Sequence, residues 1–553
     1  MYAGVDYLIR WASTEHDRPL ILCEYAHAMG NSTGNLFQYV DAWRAHRQLQ
    51  GGFVWDWVDQ GLRQPVPEAF RDRKQSVPAE TFFAYGGDFG PPDVPSDDNF
   101  CMNGLVAADR TPHPGLTEVK HQYRPVRARL TEHTESRSVL EVENGYDFLT
   151  LNHLEMHAEW PGMKPFVIHV EDLPPGRRRE ITLRHSALPP GQPGEERFVD
   201  LSFRTLEKSA WAQKGFEVAH EQIELDVTPL APLETAALPA LAVTDTLDGV
   251  LVRGPEVSAF FDPALGTVTS LRLGETELLA APLRPEFWRA PTDNDRGFRM
   301  PERWGVWQGA GAGWKPGPAS VEQPDSTRVE ITVPGRLPAV DSGLTLRFIV
   351  YGSGDVTVEA EFTPGTTVLP PMPRFGLRTS LPDGFEDLTW YGPGPGETYV
   401  DRLLGSPVGV WEATVDGLFT DYSEPQENGN RTATRWAALT RGDGTGLLVA
   451  ALGQTEADRL DVSALHYSLE DLDRAKHTYE LERSDTVHLL VGRQMGVGGD
   501  NSWGAQPHAE FQLPPVTRRI AVRLRPFRKT ADGPGPMQLY GNRPKIAPPG
   551  TDR

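Results

Sequence analysis

Residues 19–59 place the tightest constraint on what this chain can fold into. Pro19-Leu20-Ile21-Leu22-Cys23 is a short continuous apolar run that stops at Glu24, the pattern of a strand buried on both faces of a parallel sheet. Asn31, Ser32 and Thr33 then offer side-chain oxygens to cap a helix, and Leu36, Val40, Trp43 and Arg47 recur at spacings of three and four as far as Gln48. A second apolar run follows, Gly51-Gly52-Phe53-Val54-Trp55-Asp56-Trp57-Val58-Asp59. Such a strand–helix–strand unit commits the N-terminal region to α/β architecture, with acidic and aromatic residues at the C-terminal strand ends, where α/β sheets and barrels place active sites. Cys23, inside the first run, reads as a small core residue, and Trp57 likewise reads as core.

The α/β signature is lost near residue 120. From Gln122 to Thr228 alternating segments such as Val139–Glu143, Leu151–Met156, Phe166–Val170 and Phe198–Phe203 predict an antiparallel, immunoglobulin-like β-sandwich over 121–228. The Pro- and Ala-rich piece 229–241 reads as a linker. Beyond it, 242–527 carries many short alternating runs, among them Leu344–Val350 and Val356–Phe362, with Gly and Pro between them and little helical periodicity. One large two-sheet antiparallel sandwich accounts for that. Residues 528–553, rich in Pro, Gly and charge, are expected to be a flexible or loosely docked tail.

At 553 residues the chain should hold two to four domains. A formal charge of −22 opposes non-specific nucleic-acid binding, and no apolar run is long enough to suggest a membrane span. Two cysteines argue against a disulfide framework and fit a reducing compartment. The first residues show no basic segment followed by an apolar core, so a cytoplasmic protein is the expectation. Three further signals carry little. The prolines of "GPGPGE" at 392–397 remove the N–H groups a phosphate would need; Asp293-Asn294-Asp295 lacks calcium-loop spacing; Asp97-Asp98 reads as a solvated turn.

The segments "LILCEYAHAMGNS", "GGFVWDWVDQGL", "AYGGDFG", "FCMNGLV" and "DRTPHPGLTEVKHQYRPV" resemble consecutive stretches of the glycoside hydrolase family 2 β-galactosidases. "RAPTDND" (289–295), "GPGPGETYVDR" (392–402), "PQENGNR" (425–431) and "MGVGGDNSWG" (495–504) resemble parts of that family's large, galactose-mutarotase-like C-terminal sandwich. The resemblance covers nearly the whole chain but only the C-terminal part of the family's architecture. It implies a multidomain protein: an incomplete C-terminal part of a (β/α)8 barrel over 1–120, then the two sandwiches. A whole barrel takes about 250 residues, and only 23 precede Glu24.

By this resemblance Glu24 is the catalytic nucleophile of a retaining β-galactosidase acting on galactosides such as lactose, and Tyr2 is the tyrosine that hydrogen-bonds it. His27 and Trp55 would contact galactose, and Trp503 would stack on the departing sugar. Phe100 and Asn103 would lend oxygens to a sodium ion beside the sugar, with Asn103 also near the substrate. Retention needs a second carboxyl group roughly 5–5.5 Å away; in the family it sits in an Asn-Glu pair upstream, and no such pair precedes Glu24. The ligands of the family's magnesium ion also lie upstream. The chain is thus expected to need an N-terminal portion of the same enzyme as partner, to be inactive and aggregation-prone alone, and to join a homo-oligomer when complete. The competing reading is a non-catalytic carbohydrate-binding or assembly component.

Overall fold

The computed structural model describes residues 1–545 other than Pro92 and Glu171. The chain divides into two compact units, one of residues 1–116, 232–539 and the segment from Arg543, the other of 117–231 with 540–542.

The N-terminal region consists of α1 (Val5–Ala12), β1 (Leu20–Tyr25), α2 (Leu36–Ala45) and β2 (Leu49–Val54). β1 and β2 pair in parallel, with Leu22 opposite Gly52 and Tyr25 opposite Val54. Tyr39 and Trp43, one helical turn apart on α2, bring their rings to 5.1 and 4.8 Å from that of Tyr25 and so hold helix to strand. Among the described residues these two strands form a sheet of their own.

Three expectations are corrected here. β1 is covered on one face only: Leu22 and Tyr25 are buried, whereas Ile21 is 51 % exposed and Cys23 is exposed. Trp57 is not core either, being 57 % exposed. An unbroken apolar run reports hydrophobicity, not whether a further layer is present to cover it. Asn31, Ser32 and Thr33 do not cap α2; Asn35, in the left-handed conformation and without a side-chain cap, precedes the helix. The three are instead buried in a loop over 26–35.

In the smaller unit, strands Val126–His133, Arg137–Asn144 and Arg178–Arg184 form one sheet. Glu217–Val227, Glu196–Thr205, Leu154–Glu159 and Phe166–His169 form a second, and their inward residues Leu140, Met156, Leu201 and Phe203 share a core with Trp160. Where one two-sheet sandwich was expected over 242–527, three antiparallel sheets of five, five and ten strands contribute to a common core. Phe287, Trp307, Phe362 and Phe375 stack at its centre with ring separations of 5.5–6.4 Å. Alternation explains the register: Leu344, Leu346 and Phe348 point inward opposite Phe362, Ala360 and Val358. The linker segment holds a short strand, Ala231–Leu233. Much of the expected loose tail is ordered, with Pro536–Gly541 helical and Tyr540 fully buried, because its apolar residues find cover; 546–553 lie outside the described residues.

Candidate active site

Glu24 lies next to the C-terminal end of β1, and the chain start folds back onto it. Tyr2, at φ +53°, donates its backbone N–H to the Glu24 carbonyl at 2.9 Å and hydrogen-bonds the Glu24 carboxylate through its phenol. Burial, then the charge and hydrogen bond of Glu24, then the charge of Asp56 raise the phenol well above its ordinary pKa. Tyr2 therefore remains a protonated donor to the carboxylate. Asp56 is a second carboxylate near Tyr2 that the sequence did not single out; it accepts from the Trp57 amide.

Three residues beyond Glu24, His27 is 1 % exposed and burial lowers its pKa to about 4, so its imidazole is neutral at pH 7. Its Nδ1 lies 2.8 Å from Ser502 Oγ and its Nε2 3.4 Å from Asn103 Nδ2. Around it gather Phe100 at 5.1 Å and Trp503 at 5.2 Å between ring centroids, and Trp503 meets Tyr2 edge-on at 4.6 Å. Tyr2, Glu24, His27, Phe100, Asn103 and Trp503 are thus brought together. Trp55 joins through its backbone, donating to the Tyr25 carbonyl and accepting from Ala28 N–H, with its side chain partly exposed. Trp503 is 47 % exposed, leaving ring surface open toward solvent.

The loop 26–35 is positioned from far along the chain. Asn31 donates its side-chain amide to the Glu427 carbonyl at 2.6 Å and its backbone N–H to Gln426 Oε1 at 3.1 Å. Arg402 donates to the Ser32 carbonyl, Gly34 N–H to the Gly498 carbonyl and Asn35 N–H to the Asp401 carbonyl. Asp500 accepts from Asn35, Tyr39 and His508. Three of the four sandwich segments quoted above, 392–402, 425–431 and 495–504, therefore close on the residues that follow Glu24. Within the four, Glu397 is neutralised by Arg402 and accepts from Tyr422, while Asp295 pairs in two-point fashion with Arg289, both fully buried. The role of "DND" is thereby structural: Asp295 completes a capping box with Thr292, and Asp293 accepts from Asn99 and Gln426.

Sequence reasoning missed Ser502 and Asn294, although each stands inside a quoted segment. Their signal is adjacency, Ser502 to Trp503 and Asn294 to the two aspartates. For a cation, Asn103 Oδ1 is buried without a hydrogen-bond partner, and the Phe100 carbonyl stands beside it, accepting from Asn103 Nδ2 at 3.1 Å. Uncharged oxygen donors of this type suit a hard cation. A separate cluster, Glu386, Asp416 and His466, already embraces the Arg483 guanidinium, which donates to both carboxylates at 2.8 Å and occupies the place between them.

Three family models match successive parts of the chain. They are glycosyl hydrolases family 2, TIM barrel domain, over 2–128; beta-galactosidase, domain 4, over 140–226; and beta galactosidase small chain over 253–524. A beta-galactosidase from Priestia megaterium is 36 % identical over 93 % of this chain and 48 % of its own length. Those from Halalkalibacterium halodurans and Photobacterium profundum are 32 % and 33 % identical over 93 % and 94 % of this chain, and 49 % and 50 % of theirs. The chain spans about half the length of these curated relatives. A galactose 1-epimerase from Lactobacillus acidophilus NCFM aligns over 53 % of the chain at a TM-score of 0.31 and 10 % identity, too slight a likeness to bear on the fold.

Proposed function

This chain belongs to the glycoside hydrolase family 2 β-galactosidases and matches about half of such an enzyme, and from that premise we propose that it carries the nucleophile of a retaining β-galactosidase. The observation that carries the reading is the meeting of Trp503 with Tyr2 at 4.6 Å while the same tyrosine hydrogen-bonds Glu24. A loop of the sandwich thereby stands over a strand-end carboxylate, and an exposed aromatic face beside a carboxylate is what a sugar ring requires.

In the proposed reaction Glu24 attacks the anomeric carbon of a terminal β-galactosyl residue and the glycosidic oxygen departs with a proton from a second carboxyl group. Water, activated by that second group, then cleaves the glycosyl–Glu24 ester, returning Glu24 as carboxylate. Tyr2 orients the carboxylate, and neutral His27 and Trp55 contact the galactose. Phe100 and Asn103 would contribute a carbonyl and a carboxamide oxygen to a bound sodium ion, whose charge would orient a sugar hydroxyl. The second carboxyl group and the ligands of a magnesium ion are assigned to an N-terminal portion of the enzyme, the proposed partner, in a cytoplasmic homo-oligomer.

Assembled with that portion, Glu24→Gln should lose roughly 10⁴-fold or more in kcat while still binding a non-hydrolysable galactoside; substantial residual turnover would refute the assignment. The purified chain alone should not hydrolyse nitrophenyl galactoside, and measurable release of nitrophenol would overturn the need for the partner.

A further inference from the structure

The hydrogen bonds around His27 can be followed atom by atom, and they leave its ring one arrangement. Asn294 is 1 % exposed, and its side-chain nitrogen is held by two backbone carbonyls, those of Val497 at 3.0 Å and Gly498 at 3.2 Å. Its Oδ1 therefore faces Ser502 Oγ, 2.7 Å away. A carboxamide oxygen only accepts, so the single hydroxyl proton of Ser502 is committed to it. Ser502 Oγ is left with lone pairs toward His27 Nδ1 at 2.8 Å, and Nδ1 must carry the proton. At the other edge of the ring the Asn103 amide nitrogen, oriented by the Phe100 carbonyl, points toward Nε2 at 3.4 Å.

We propose that Asn294 and Ser502 are positioning residues that lock His27 as its Nδ1–H tautomer, leaving Nε2 as a hydrogen-bond acceptor whose lone pair, met by the Asn103 amide only at 3.4 Å, a ligand hydroxyl can take over. The lock stands on geometry alone; the identity of the ligand as a galactoside rests on the proposed function. Beside Nε2, the unpartnered Asn103 Oδ1 is a second buried acceptor whenever no cation occupies it. The pocket edge thus selects for a group that donates, and a sugar whose hydroxyl there is replaced by fluorine or methoxy is rejected.

The test uses the full chain with ring-¹⁵N histidine, His27 being assigned by the resonance that disappears in His27→Gln. In the unaltered protein the long-range ¹H–¹⁵N pattern should show Nδ1 protonated and Nε2 bare; an Nε2–H majority overturns the lock. Ser502→Ala should populate both tautomers and Ser502→Thr should restore one. An unchanged single tautomer in Ser502→Ala assigns the lock elsewhere and overturns the role of Ser502. Should Ser502→Ala fail to fold, Ser502→Cys keeps the volume with a weak acceptor and is read the same way. In the enzyme assembled with its N-terminal portion, Ser502→Ala should raise KM about tenfold, the scale of one neutral hydrogen bond, with kcat changed less; an unaltered KM overturns the role in binding. The tautomer is read without substrate, so failure of the lock and failure of the galactosidase reading are seen separately.

Discussion

Gly30 and Gly34 show how little freedom the residues after Glu24 have. Gly30 has φ +54°, and a Cβ on it would lie 2.2 Å from Asp293 Oδ2; at Gly34 the same atom would lie 2.1 Å from Asp401 Oδ2. Both carboxylates are buried and already engaged, so neither can swing aside. Gly34→Ala should lower stability by about 2 kcal/mol or more, read as a lower urea midpoint with unchanged slope. At this scale motifs singled out Tyr2, Glu24, His27, Phe100, Asn103 and Trp503, and the structure brings these residues side by side. Ser502 and Asn294 were not legible, because their meaning depends on partners 475 and 208 residues away, a distance no local pattern spans.

Elements were legible to the extent that periodicity reports them. The helix and the two parallel strands of 19–59 could be read because apolar spacing changes from continuous to helical and back. The cover on β1 could not, since burial depends on what packs above the strand. The short helix Asp293–Gly297 agrees with setting aside the calcium-loop reading of that segment: Asp295 closes its capping box and is held by Arg289. Arg289→Met would leave the Asp295 charge buried and unpaired, and should cost about 3–5 kcal/mol in a denaturant titration. The helix Gly115–Gln122 predicts a pH response. Burial, reinforced by Arg124, His220 and Arg127, lowers His121 to about 3, below its unfolded value near 6.5. The unfolded chain then takes up a proton that the folded one refuses. The contribution is intact above pH 6.5 and declines as pH falls from 6.5 toward 3, with about 1–2 kcal/mol lost by pH 5. Thermal melting of the smaller unit at pH 7 and pH 5 should show this slope, and His121→Gln should flatten it.

On the scale of the whole molecule, the exposed apolar residues are unevenly placed. Ile21, Phe53 and Trp57 of the β1–β2 region are 51 %, 68 % and 57 % exposed, so a two-stranded sheet presents hydrophobic side chains that none of the described residues cover, a surface that favours association. The purified chain should sediment as a mixture of species and bind a hydrophobic dye, and Phe53→Glu should reduce both; a monodisperse, dye-silent monomer would contradict this. The contact between His27 and Ser502 also has a temporal meaning. The two residues are 475 positions apart, and at 5–20 residues per second a ribosome needs roughly 25 to 95 seconds to travel between them. For that interval the nascent polypeptide already displays Glu24 but has no pocket around it, and a message cut short before codon 502 yields a product that never acquires one.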